Sequence, residues 1–324
     1  MKKYIRSIDL FAGIGGMRYA LDIACKKHNK VNKTVFSSEI DKYAIKTYEA
    51  NFTPITHGDI TEIKTKEVST VVPEHDILMA GFPCQPFSNA GLKHGFDDTR
   101  GTLFHDIKKI LKIKKPRSFL LENVSHLRGH DNGETLKTIL RNLRGLGYYV
   151  PKPQVLNAKN FGLPQNRSRI FIVGFLDNFL GDFEYPEATK KETSVGQILQ
   201  SEKEIQMLEK YIISKKLWEG HVLRKEKNRK LGKGFGYGGF TADHTHTNTL
   251  SARYYKDGGE ILILRGRSLP RKLTPRECAR LQGFRDSFKI NQVSDVQLYR
   301  QFGNSIPVNV VVAVLDKMIR FMKF

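Results

Sequence analysis

Acidic residues are in short supply. The 324-residue chain sets 33 Asp and Glu against 54 Lys and Arg, a net charge of +21, and a surplus of that size points to a polyanionic partner, nucleic acid ahead of an anionic membrane. A membrane partner would require an amphipathic basic helix or a long apolar span. Neither is expected, because the most apolar run, "IPVNVVVAVL", carries Asn309 and stops at Asp316. Cysteine is scarcer still. Cys25, Cys84 and Cys278 are widely separated and odd in number, which excludes a disulfide framework and a Cys-x-x-Cys metal site and fits a reducing interior. The start "MKKYIRSIDLF" lacks the apolar core of a signal peptide, so a soluble, cytoplasmic protein is expected. The length suits one large domain with an insert.

What is present is organised. The first half alternates short β-branched runs with helical patterns, the mark of an α/β fold, a doubly wound and mostly parallel sheet covered on both faces. Strands are expected near 4–11, 34–39, 76–81, 118–123, 148–156 and 170–175. Between them, Leu103, Phe104, Ile107, Ile110 and Leu111 form one helical stripe and Leu136, Ile139, Leu140 and Leu143 another, both read as core faces. After Phe175 the alternation stops, and a Lys-, Glu- and Gly-rich segment follows with "RKEKNRK" (224–230) and "GKGFGYGGF" (232–240). A helix is expected to restart in "TPRECARLQGF", with Thr274 as N-cap, Pro275 at N1 and Glu277 completing a capping box. A last helix begins after Pro307 and is expected to return to the first lobe.

The first strand runs into "DLFAGIGG" (9–16), a glycine turn that opens a helix. A dinucleotide fingerprint would need glycine at position 18, where Arg18 stands, so a pyrophosphate cradle is disfavoured. Glu39 closes the second strand, placed to accept both hydroxyls of a ribose, and Asp59 in "HGDI" closes an expected third short strand, placed to accept from an exocyclic amine. Each carboxylate alone reads equally as a solvated turn residue. Together they describe a nucleoside pocket without an anion clamp, which suits S-adenosylmethionine better than NAD or ATP.

One cysteine stands apart. Cys25 and Cys278 fall inside helical patterns and read as inert core residues. Cys84 sits in "GFPCQPFS" (81–88), between two prolines that fix φ and limit where the sulfur points. Ligands of open α/β sheets bind beyond the carboxyl ends of the strands, which places Cys84 and Glu122 of "LLENV" on one crevice. A thiolate is a strong nucleophile, and a carboxyl group that donates a proton activates a ring electrophile. Aimed at cytosine, Cys84 would add to C6 while Glu122 engages N3 and the 4-amino group, making C5 nucleophilic toward a methyl donor.

The ordered set of motifs resembles the DNA (cytosine-5)-methyltransferases of bacterial restriction-modification systems over nearly the whole chain: "DLFAGIGG", "SSEID", "GDI", "GFPCQPFS", "ENV", "QNRSRIFIVG", "RKLTPRECARLQGF" and "YRQFGNSIPVN". The resemblance implies the S-adenosylmethionine-dependent methyltransferase fold. It implies a catalytic domain at 1–176, a target-recognition domain at 177–298 and a segment at 299–324 that completes the catalytic domain. Cys84 would be the covalent nucleophile and Glu122 the acid, with Arg167 and Arg169 positioning the base and steadying the cysteine loop. Phe11 would stack on the donor's adenine, Glu39 hold its ribose and Asp59 its amine. Gly13, Gly15, Asn304 and Ser305 would surround the methionine end, and Ile40, Ile60, Pro83 and Leu103 complete the implied cofactor set. S-adenosylhomocysteine would be the product, and no metal is expected. Gln85, Ser88, Arg100, Thr249, Leu250 and Arg253 are the implied DNA contacts. Residues 88–102, with glycines 91, 95 and 101, fit the loop that closes over DNA in this family, because C6 of a stacked cytosine is out of reach until the base is flipped out.

The insert from Asp177 to Pro270 is where such enzymes keep target recognition. Its basic run reads either as a set of phosphate contacts or as a solvated helix. The stretch "NTLSARYYKDGGEILI" (248–263) is similar to bacterial members acting on sites of the CC(N)GG kind. His244 and His246 read as loop polars, since no further ligand stands at zinc spacing. The implied partners are double-stranded DNA and a cognate restriction endonuclease acting on the same site, with the protein itself a monomer. Two alternatives are a tRNA cytosine-5 methyltransferase on the same fold and a non-catalytic DNA-binding protein on a decayed scaffold. The intact set of Cys84, Glu122, Arg167 and Arg169 argues against the second.

Overall fold

The computed structural model describes residues 3–82, 103–176, 181–189, 191–234 and 236–323. Expectations that fall on 83–102, those for Pro83, Cys84, Gln85, Ser88 and Arg100, lie outside the described residues. The chain divides into two units: Met1–Leu156, Ser168–Glu187 and Val310–Phe324 form the first, Asn157–Arg167 and Ala188–Asn309 the second. These limits depart from the expected ones in three places. Residues 157–167 group with the second unit, the first unit runs on to Glu187 rather than ending at 176, and the return to it begins at Val310 rather than at 299.

The first unit is built on a six-stranded sheet in the order β2-β1-β3-β4-β6-β5. Its strands are β1 (Tyr4–Leu10), β2 (Val31–Ser38), β3 (Ile77–Gly81), β4 (Ser118–Val124), β5 (Gln154–Asn157) and β6 (Ser168–Phe175). β1 to β4 run parallel, and β6 runs antiparallel to β4. The strands are apolar on both sides, as strands covered on two faces must be. Ile8, Leu10, Leu78, Ala80, Phe119, Leu121, Ile170 and Ile172 face one core cluster. The alternate residues Ile77, Met79, Leu120, Phe171 and Val173 are equally buried and point the other way.

The helices of the unit are α1 (Gly16–Lys27), α2 (Lys42–Asn51), the single turn α3 (Val68–Val71), α4 (Leu103–Lys114) and α5 (Glu134–Gly145). In α4 the buried residues Phe104, Ile107, Ile110 and Leu111 recur at helical spacing, and in α5 Ile139 and Leu143 are buried while Leu136 and Leu140 pack partly against the same cluster. Both stripes are core faces, as their spacing indicates.

Two expected strands are shorter than the pattern suggests. Around 55–58 only a single bridge, Ser38 to His57, forms, and Asp59 then caps a 3-10 turn at Ile60–Glu62. At 148–156, Pro151 and Pro153 remove ladder donors, so pairing is limited to β5 and a bridge from Tyr149 to Phe175.

The second unit carries α6 (Lys215–Lys230), a small sheet of β7 (Gly239–Phe240), β8 (Leu262–Arg265) and β9 (Ser268–Arg271), then α7 (Pro275–Leu281) and α8 (Asp295–Asn304). The capping box at the start of α7 forms as the sequence indicates: Thr274 accepts from the Glu277 N–H, and Glu277 accepts from the Thr274 N–H. The final helix, α9 (Val308–Phe321), returns to the first unit. There Phe321 packs on Phe175 at 4.7 Å and Asp316 meets His28 at 2.9 Å. The stretch 295–321 is long and apolar enough for a membrane span by composition, but 72% of its most apolar window is buried within the fold. Cys25 and Cys278 are buried free thiols; burial pushes Cys25 up to about 12 and raises Cys278 well above its ordinary value.

Glu277 does more than cap. Fully buried, it binds both terminal nitrogens of Arg271, at 2.7 and 2.8 Å, and accepts from the Gln200 N–H at 2.9 Å. Removing one partner of a buried pair leaves the other charge uncompensated. Glu277→Ala is therefore expected to lower unfolding stability by about 3–5 kcal/mol, while Arg271→Met combined with Glu277→Leu recovers only part of that loss, because the Thr274 and Gln200 N–H groups still lack their acceptor. Urea unfolding of the two variants checks both values.

Candidate active site

At the carboxyl end of β1 the chain turns through Phe11 at φ 55° and Gly13 at φ 54°. The left-handed region costs a bulky residue such as Phe about 1–3 kcal/mol, so Phe11 is held in place by its surroundings. The Ala12 N–H donates to the Ser38 carbonyl at 2.9 Å, which ties the turn to the end of β2. The two glycines differ in what they allow. A Cβ at Gly13 would meet nothing within 4 Å, so the turn is open there. One at Gly15 would lie 2.4 Å from the Phe52 ring, so that glycine makes room for the chain's own packing beside α2.

Glu39 follows β2 and organises this corner. Its Oε2 accepts from the Gly13 N–H at 2.7 Å, and its Oε1 accepts from the N–H groups of Ile40 and Asp41, both at 2.8 Å. Ile40 beside it is 71% exposed. Asp59 accepts from the Thr61 N–H and hydroxyl, and these bonds hold its carboxyl below the usual range. Ile60, expected beside a cofactor, has a side chain that is 2% exposed and belongs to the core cluster. Leu103 is half-buried at the first turn of α4.

Glu122 lies near the end of β4, buried, with the Arg169 Nε 3.0 Å from its Oε1. The antiparallel register sets this contact. Val124 stands opposite Arg169 and Glu122 opposite Phe171, so Glu122 and Arg169 are diagonal neighbours on one face. Burial lowers the Arg169 pKa, and the facing carboxylate opposes that shift. Sequence reasoning missed Asn123. Its amide donates to the Phe82 carbonyl at 2.8 Å and so fixes the last described residue before the cysteine segment. The motif "ENV" contained the signal, but only its acid was read.

Arg167 does not join Arg169. Its guanidinium donates to the carbonyls of Leu250, Gly303 and Ser305 at 2.8, 2.9 and 2.6 Å, and the residue is 1% exposed. Within the second unit it anchors backbone. Gln165 works alongside, donating to the Leu281 carbonyl and accepting from the Leu250 N–H, and Gln282 donates to the Phe302 carbonyl at 2.7 Å. A Cβ on Gly303 would sit 2.3 Å from the Ser251 backbone, so the end of α8 lies directly on that segment. Asn304 is exposed and Ser305 half-buried at this end. Leu250, whose backbone this network holds, has a fully buried side chain. Thr249 donates to the Asn166 carbonyl, and Arg253 is exposed.

The basic run 224–230 lies on α6 with most of its side chains exposed; Arg224 faces Asp257 at 3.5 Å and Lys225 lies over the Tyr237 ring. His244 Nδ1 accepts from the Thr241 N–H at 3.0 Å. No cluster of three or more His, Cys, Asp or Glu suited to a metal occurs among the described residues.

The comparisons agree with one another. The profile of the family "C-5 cytosine-specific DNA methylase" matches residues 5–320. Type II methyltransferase M.NlaX of Neisseria lactamica is 56% identical over 96% of this chain and 95% of its own. Type II methyltransferase M1.ScrFI of Lactococcus lactis subsp. cremoris is 54% identical over 98% and 79%, and M.HpaII of Haemophilus parainfluenzae 45% identical over 96% and 88%. Among solved structures, the S. pombe Dnmt2 methyltransferase superposes with a TM-score of 0.79 at 24% identity, covering 99% of this chain and 100% of that one. At that identity the likeness speaks for the fold.

Asp9, just before the glycine turn, is fully buried and neither carboxylate oxygen has a close hydrogen-bond partner among the described residues. Burial pushes it up to about 8; the Arg18 guanidinium and backbone N–H pull it back by less. An acid whose folded pKa is raised holds its proton while the unfolded chain loses it, so stability falls between about pH 4 and 8 and the penalty is complete above that. Asp9→Asn is expected to match the parent near pH 4 and to gain roughly 1.4 kcal/mol for each pH unit through that window. Chemical denaturation at a series of pH values reads the gap, and a gap that does not change with pH would contradict the assignment.

Proposed function

The chain belongs to the C-5 cytosine-specific DNA methylases, and on that premise we propose that it transfers a methyl group from S-adenosylmethionine to C5 of a flipped-out cytosine, through a covalent bond between Cys84 and C6. The observation that carries the proposal is the buried Glu122–Arg169 pair on β4 and β6, next to the fixed root of the cysteine segment. The enzyme is a DNA (cytosine-5)-methyltransferase of the type II restriction-modification class, as its relatives are.

The first unit fits the proposed methyl donor. The open turn at Gly13 admits a ligand close to the backbone, exposed Ile40 offers an apolar face beside it, and Glu39, after binding three N–H groups, keeps a lone pair on Oε2 for a ribose hydroxyl. Asp59, whose carboxyl Thr61 holds below the usual range, would accept from the donor's amine. When bound, S-adenosylmethionine supplies an electrophilic methyl group.

The chain's own residues do the rest. Addition of the Cys84 thiolate to C6 pushes the C5–C6 π electrons onto the ring, where Glu122 supplies a proton at N3 and accepts from the 4-amino group. C5, now enamine-like, would take up the methyl group as its bond to the donor's sulfonium sulfur breaks. A water molecule then takes the C5 proton, the C6–sulfur bond breaks to release the Cys84 thiolate, and Glu122 recovers its proton from N3, which restores the aromatic ring. Arg169 holds Glu122 to one position throughout, so the carboxyl does not reorient during the reaction. Arg167 keeps the backbone at Leu250, Gly303 and Ser305 in place.

Labelled methyl transfer to unmethylated duplex DNA, followed by digestion to nucleosides, is expected to yield 5-methylcytosine. Cys84→Ala abolishes transfer while DNA binding remains, and Glu122→Gln lowers the single-turnover rate by about 10²–10⁴; turnover retained by Cys84→Ala would overturn the mechanism. For the target we propose sites of the CC(N)GG kind, on the stretch 248–263 held by Gln165 and Arg167. Bisulfite sequencing of modified genomic DNA should place 5-methylcytosine inside such sites, and modification elsewhere would sink that assignment.

A further inference from the structure

β1, β2, β3 and β4 are parallel, with Tyr4 opposite Val31, Ser7 opposite Ile77 and Ile77 opposite Ser118. Their starts therefore form one edge of the first unit, and their ends form the other, which carries Phe11, Glu39 and Glu122. At about 3.3 Å per residue, the two edges are separated by roughly 20 Å of strand.

The starting edge collects positive charge from several elements. Lys3 precedes β1, α1 ends in Lys26 and Lys27, and Lys33 stands near the start of β2. Lys112 lies in the last turn of α4, and Lys115 follows that helix just before β4. All six are exposed, and none pairs with a carboxylate among the described residues. The carboxylates nearby are engaged: Asp76 faces Arg6, Glu74 binds Lys114, and Asp316 meets His28 and Arg320. Lysines at helix C-termini complement the helix dipole, which accounts for Lys26, Lys27, Lys112 and Lys115. It does not account for Lys3 and Lys33, which add like charge beside them.

A surface of unpaired lysines without an apolar anchor fits phosphates read by charge alone. A membrane surface would call for helices with an exposed apolar face, whereas α1 and α4 bury theirs in the core. We propose that this edge binds a second segment of duplex DNA through its phosphates, so that one protein molecule bridges two stretches of DNA and can pass from one to the other. The proposal rests on the reading that the opposite edge takes the target duplex.

The test compares the parent with K26Q/K27Q/K33Q/K112Q/K115Q and with the charge-preserving K26R/K27R/K33R/K112R/K115R. Limiting enzyme is loaded on an immobilised short target duplex, and capture of a labelled duplex without the target is measured against salt concentration. Methylation of the short duplex is followed in parallel. The glutamine variant is expected to methylate the short duplex at the parent's rate but to capture at least about tenfold less second duplex, with a salt slope shallower by about 0.9 for each phosphate that is no longer neutralised. The arginine variant should behave as the parent. Equal capture by the glutamine variant would overturn the proposal, as would equal loss of short-duplex methylation. So would a parent that captures no second duplex but sediments with phosphatidylserine vesicles. A parent unable to methylate the short duplex would instead refute the reading of the catalytic edge.

Discussion

The antiparallel seating of β6 against β4 is the constraint on which the active centre depends. In that register Glu122 and Arg169 fall diagonally on one face and meet at 3.0 Å. A slip of one residue would turn Arg169 to the opposite face and leave Glu122 without this partner. The register is secured by burial, because β4 and β6 are apolar on both sides and any slip would also move Leu120, Leu121, Ile170 and Ile172 out of their places. Core packing thus sets the orientation of the proposed acid, Glu122, and its strand also holds Phe82 through Asn123.

Arg167 and Arg169 show how one short motif serves two ends. They sit two residues apart, yet one side chain binds a carboxylate in the first unit and the other binds three carbonyls in the second. The division of the chain into units falls between them. Buried guanidinium groups need several acceptors to offset desolvation, and backbone carbonyls from separate segments supply them for Arg167. Irregular backbone around 250, and the chain where α8 ends at 303–305, are held in shape in this way.

Much of this was legible in the sequence. The α/β alternation, the core stripes of α4 and α5, and the capping box of Thr274 and Glu277 all follow from local spacing, which the sequence displays directly. The acid at the end of β4 was legible for the same reason, since strand ends carry the ligands in this kind of sheet. What escaped notice depends on contacts between residues far apart in the chain. Nothing near Arg167 indicates that Leu250 and Gly303 will supply its acceptors, nothing near Leu250 indicates that it will be fully buried, and nothing near Ile60 indicates that its side chain joins the core cluster. The buried carboxyl of Asp9 also lies outside the reach of pattern, because burial of a polar residue depends on what covers it.

The most direct test of the central claim uses a duplex in which the target cytosine carries fluorine at position 5. An enzyme that adds a thiolate to C6 and must later remove the atom at C5 stalls on this substrate after methyl transfer, since fluorine cannot leave as a proton. The account predicts a denaturant-stable complex of protein and DNA whose linked peptide contains Cys84. Normal methylation of cytosine with no such complex on the fluorinated duplex would contradict it.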